Sequence, residues 1–180
     1  MNDFPDPGGE GKSTEAPSRP DEERKKGGRR RSREAALQAL FFMDLNPAYS
    51  VDTALALFLE NFPVPEGSQA YFRHLVQGVW ENKKAVDRLI RRSTEHWRLE
   101  RMSTVDRNIL RIGVFELVYC PDIPPRVAIN EAIDLGKRFG NEESGAFING
   151  ILDRVFAEQA GKKEGGEIKE AKERTDPIGS

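Results

Sequence analysis

Imidazole and thiol groups are scarce in this 180-residue chain: His74 and His96 are the only histidines and Cys120 the only cysteine. Neither histidine has a second His or Cys at metal-ligand spacing, so each reads as a surface or packing residue. Cys120 stands before Pro121 at an expected helix end, with no basic or histidine neighbour in the sequence to lower its pKa, so it is no nucleophile. The acidic residues are scattered as helix caps and i,i+4 partners, and no pair stands out as an acid/base couple. The fragment GGEGKST invites a phosphate-loop reading, but the first glycine of GxxxxGK[ST] would fall at Asp6 and no strand precedes it. Nothing in this inventory supports an enzyme, a bound metal or a cofactor.

Binding chemistry is better represented. Arg29, Arg30, Arg31 and Arg33 cluster where a helix is expected to start, and the planar guanidinium fork suits bidentate contact with phosphate. Between Arg24 and Arg33 there are seven basic residues and no acidic one. Positive charge at a helix start opposes the macrodipole, a cost that an anionic partner would offset. Residues 34–159 carry 14 basic and 18 acidic residues, so the formal net charge of −2 conceals a basic arm on a mildly acidic body. That asymmetry points to two partners of opposite sign.

The elements that must hold these groups are helices. Ala36, Leu37, Leu40, Phe41 and Leu45 make one face of a helix from about Ser32 to Leu45, ended by Asn46-Pro47. Ser50 caps a second, Val51 to Asn61, stopped by Pro63 and Pro65. A third runs from about Gly67 through Trp80, and a fourth carries Val86, Leu89 and Ile90. Ser103 to Asp106 resembles a capping box and opens a helix that is apolar on all sides from Val105 to Cys120. Such a helix is usually central, and Glu116 on it needs a cationic or hydrogen-bonding partner. From Arg126 to Asp153 two amphipathic helices meet at Gly140, read as a left-handed cap, and the polar corner Asn141 to Ser144 is expected at the surface. No run shows sustained strand alternation, so the expected fold is all-α, a compact bundle of six or seven helices. Residues 1–28 and 160–180 are expected to be disordered tails flanking one helical domain, 29–159.

Three ordered segments carry a family likeness: RRRSREAALQALF, VDRNILRIGVFEL and PxxVAINEAIDLxKxFGxEESxxFINGILD. They span roughly Arg29 to Val155 and closely resemble the NusB family of bacterial transcription antitermination factors. That resemblance implies an all-helical fold and binding of boxA RNA in ribosomal RNA operon leaders. It implies joint action with NusE, a basic small-subunit ribosomal protein, and with the RNA polymerase elongation complex and other Nus factors. Arg30 and Arg33, with Arg29 beside them, would hold phosphates, while Glu143, Ser144 and Phe147 would meet unstacked bases. Phe147 also begins a core-facing stripe, so a packing role stands beside the binding one. Phe41 and Asp106 fall where the family contacts NusE; Phe41 replaces a tyrosine often found there, and Asp106 also fits a helix cap. The resemblance leaves a homodimer open. The rival reading is a NusB-like module working with a ribosomal RNA methyltransferase, for which this chain offers neither GxGxxG nor a candidate cysteine. With one cysteine, no apolar run of membrane-spanning length and an acidic start lacking an apolar core, the chain is expected in the bacterial cytoplasm.

Overall fold

The computed structural model describes residues 20–94 and 102–173, with side chains described for 27–94 and 102–161. Seven helices and no strand occur among the described residues: α1 (Pro20–Leu45), α2 (Val51–Asn61), α3 (Glu66–Glu81), α4 (Lys83–Ser93), α5 (Thr104–Tyr119), α6 (Pro125–Phe139) and α7 (Ser144–Glu173). The backbone of α1 begins well ahead of the expected start near Ser32, and α7 runs past residue 159, so both helices enter stretches expected to be tails. Residues 1–19 and 174–180 of those tails lie outside the described residues, as do His96 and Trp97.

Local chemistry sets the breaks. The Ser50 hydroxyl accepts the Thr53 N–H at 3.2 Å and starts α2. At Asn82 the backbone leaves the helix, and the Asn82 side-chain amide donates back to the Gly78 carbonyl at 2.9 Å, separating α3 from α4. Ser103 accepts the Asp106 N–H at 3.0 Å, and its hydroxyl donates to the Asp106 carboxylate at 2.8 Å. The reciprocal bond is therefore between side chains, one step removed from the usual capping box.

Helix α5 is the hub, packed against α1, α3, α4, α6 and α7. Ile109, Leu110, Ile112 and Val114 are fully buried around its circumference, and Phe72, Leu75, Ile90, Ile148 and Leu152 close over it. Each such side chain contributes about 1.5–3 kcal/mol on leaving water. Polar groups are buried there too. Arg111 spans Asp87 through Nε and Nη2 at 2.8 and 3.0 Å, and its Nη1 donates to Asp44 at 3.2 Å and Asn108 at 2.9 Å. That cluster fastens α1 and α4 to α5.

Helices α6 and α7 form the expected hairpin, with one correction at its corner. Gly140 has φ −91°, not the left-handed value, and no described glycine has positive φ. Glycine is required there for space: a Cβ would lie 2.3 Å from the Ser144 hydroxyl and 2.7 Å from the Gly136 carbonyl. Gly140→Ala should therefore destabilise the fold by roughly 1–3 kcal/mol through overpacking, seen as a lower thermal midpoint. An unchanged midpoint would mean the corner can relax.

Candidate nucleic-acid interface

The arginine cluster and the α6–α7 corner lie on one side of the molecule, joined by ion pairs. Arg29 meets Asp122 at 2.6 Å, Arg30 meets Asp134 on α6 at 2.7 Å, and Glu34 pairs with Arg138, just before Gly140. The row of α1 charges thus runs beside α6 towards Asn141, Glu142 and Glu143, all exposed. Arg30 and Arg31 are exposed, and the Arg29 side chain keeps 41% of its surface.

Arg33 departs from expectation. Only 2% exposed, it lies inside the bundle, with Nε donating to both Glu116 oxygens at 2.9 and 3.1 Å and Nη1 lying 3.3 Å from Glu131. Burial alone would lower its pKa, but Glu116 foremost, then Tyr71 and Glu131, raise it above the ordinary value. Tyr71 completes the cluster by donating its hydroxyl to Glu116. Burial, followed by the Glu116 charge, holds that phenol protonated far above its usual range. Arg33 therefore cannot hold a surface phosphate without opening the core; it seats the middle of α1 on α3, α5 and α6. Helical periodicity would have found this, because residue 33 precedes the buried Ala36, Leu37 and Leu40 by one and two turns.

Ser144 is a second correction. It is 1% exposed, and its hydroxyl accepts the Asn141 N–H at 2.9 Å while donating to Asn141 Oδ1 at 3.1 Å. It ties the corner together; Asn141 and Glu143 form the outer rim. Phe147 is half-buried against the core and also lines a cleft of about 400 Å³ with Met102, Asp106, Asn141 and Glu143. Asp106 is 7% exposed, and its Oδ1 has no hydrogen-bond partner in that cleft. On the other side of the first turn of α5, an apolar groove of about 460 Å³ is lined by Phe41, Leu45, Phe62, Val105 and Phe139. Phe41 is 38% exposed in it. Cleft and groove are neighbours, divided by consecutive residues Val105 and Asp106.

Folding also brings the lone cysteine to a histidine that sequence adjacency did not suggest. His74 Nε2 lies 3.5 Å from Cys120 Sγ. Burial, then the charges of Glu116 and Asp122, push the thiol up to about 11, so it stays protonated at neutral pH and is a poor nucleophile. Among the described residues no group of three His, Cys, Asp or Glu could hold a metal, and no helix is long and apolar enough to cross a membrane.

The NusB family model matches residues 30–157. The chain belongs to the NusB family. The transcription antitermination protein NusB of Desulfatibacillum aliphaticivorans is 52% identical over 143 residues, 79% of this chain and 99% of the relative. That of Myxococcus xanthus is 48% identical over 132 residues, 72% of this chain and 94% of the relative. Among solved structures, T. maritima NusB superposes with a TM-score of 0.65 at 41% identity, covering 72% of this chain and 91% of that one. A structure of antitermination factors NusB and NusE in complex with double-stranded RNA shares the fold, at TM-score 0.65 and 24% identity over 73% of this chain and 97% of that one. The curated relatives are transcription antitermination proteins, and one structural neighbour is a complex with NusE and RNA.

Proposed function

We propose that this chain recognises boxA RNA in the leaders of ribosomal RNA operons together with NusE, and so joins the elongating polymerase and other Nus factors in the bacterial cytoplasm to suppress premature termination. The observation that carries the reading is the junction of two unlike surfaces at the first turn of α5. On one side stand Glu143 and Phe147, suited to unstacked bases, with Arg30 and then Arg29 farther back along α1, suited to phosphates. On the other stands the Phe41 groove, suited to an apolar protein surface, with Asp106 on the adjoining wall of the cleft as the family-implied contact for a basic partner. RNA and protein bound at these two surfaces would lie next to each other, which supports the reading that they act together. Arg33 and Ser144 support this surface from inside.

A titration of boxA RNA against a scrambled control, with and without NusE, tests the proposal. Tighter binding of boxA, strengthened by NusE, is expected. Equal affinity for both RNAs at moderate salt would reject it. Arg30→Ala should weaken binding and flatten the salt dependence by about 0.7 in log–log slope, the share of one single-strand phosphate. Asp134→Asn should act oppositely, because that carboxylate occupies the guanidinium a phosphate would use. An exposed pair is worth roughly 0.2–1 kcal/mol, so the gain should be up to about fivefold. A gain that persists in the Arg30→Ala background would show that Asp134 acts by general charge and not through Arg30.

A further inference from the structure

At the end of the arginine row away from the corner, a line of ring contacts continues past Arg29. The Arg29 guanidinium lies 5.1 Å over the Tyr71 ring. Tyr71 and His74 are 6.1 Å apart, His74 and Phe115 5.4 Å, and Phe115 and Tyr119 5.3 Å with 23° between their planes. Helical spacing sets this order, since His74 follows Tyr71 by one turn of α3 and Tyr119 follows Phe115 by one turn of α5. Phe115 is buried, whereas His74 and Tyr119 are exposed. Tyr119 is stacked against Phe115 and keeps 39% of its surface in solvent.

We propose that His74 and Tyr119 form a stacking shelf for unpaired bases flanking the boxA segment, reached by an RNA backbone that passes Arg29. This rests on the RNA-binding reading above and extends its surface. Three observations favour single-stranded RNA as the occupant. The shelf is continuous with the proposed phosphate contacts, because Arg29 touches both Tyr71 and the end of the ion-pair row. Arg73 is exposed on the same helix as His74 and adds positive charge for a backbone. The Tyr119 ring is already held by Phe115, so a base can stack on it with little loss of side-chain freedom. Stacking accepts any base, so the shelf would lengthen the footprint without narrowing the sequence read.

The test uses the full chain with NusE and three RNAs: boxA alone, and boxA extended by about five unpaired nucleotides at one end or the other. Extension at one end should raise wild-type affinity about tenfold, the order expected for one base on an aromatic platform. The double variant His74→Gln, Tyr119→Leu should lose that gain while binding boxA alone as the wild type does. Tyr119→Phe should keep it, since the ring remains. No gain from either extension, or an equal loss on short and long RNAs in a double variant with an unchanged thermal midpoint, would overturn the shelf. If boxA alone fails to bind while an extended RNA binds through these two residues, the shelf stands and the boxA reading falls. If neither RNA binds, both fall.

Discussion

Replacing Arg33 with methionine is expected to destabilise the fold by about 3–5 kcal/mol, a large part of the ~5–15 kcal/mol that holds a domain together. Glu116 is 1% exposed and would keep only the Tyr71 hydroxyl as a hydrogen-bond partner, leaving a buried carboxylate without its cation. Chemical denaturation should show a lower midpoint with little change in slope. The cause can be separated from lost packing by also replacing Glu116 with leucine. If the uncompensated charge dominates, the double variant Arg33→Met, Glu116→Leu should be more stable than Arg33→Met alone. If it is less stable, the pair contributes mainly through shape. The same substitution should weaken RNA binding even where the variant is folded, because Arg33 anchors the turn of α1 that carries Arg29 and Arg30.

Arg111→Leu should cost a similar amount, about 3–5 kcal/mol, and its pH dependence identifies the reason. Partial burial alone would raise the Asp44 pKa, but Arg111 first, then Asn108, Lys83 and Arg107, hold it below the ordinary carboxyl value. A depressed carboxyl adds stability that is present above its unfolded pKa, about 3.9, and is lost as pH falls through the lower folded value. The wild type should therefore weaken in acid below about pH 4. Without Arg111 the bidentate cation on Asp87 is gone, and Asp44 loses its closest cation. Acid would then relieve uncompensated negative charge, so the stability gap between Arg111→Leu and wild type should narrow as pH falls. Unfolding curves at neutral pH and near pH 4 check this; a gap that widens in acid would contradict the account.

Most of the helical frame was legible in the chain because its signals are local. Proline, Asn-Pro and serine caps bound α2 and the end of α1, and the all-round apolar pattern of Val105–Cys120 marked the hub. Glu116 was legible as a demand: a carboxylate on a central helix had to find a partner. Its identity was not legible, since Arg33 is 83 residues away in sequence and Tyr71 is 45. The same distance effect hid the His74–Cys120 contact and the Arg111 cluster, where an arginine inside an apolar run gives no sign of carboxylates on two other helices.

By itself the sequence determined the helix periodicity, the asymmetry of charge and the ordered segments that mark the family, because each depends on residue type and near spacing. Tertiary structure decided which arginines face solvent, that Ser144 closes its own corner, and that the cleft and groove meet at Val105 and Asp106. The physical reason is that burial and ion pairing are made between helices. A guanidinium is drawn as strongly by a carboxylate on another helix as by a phosphate outside, and only packing settles which of them it reaches.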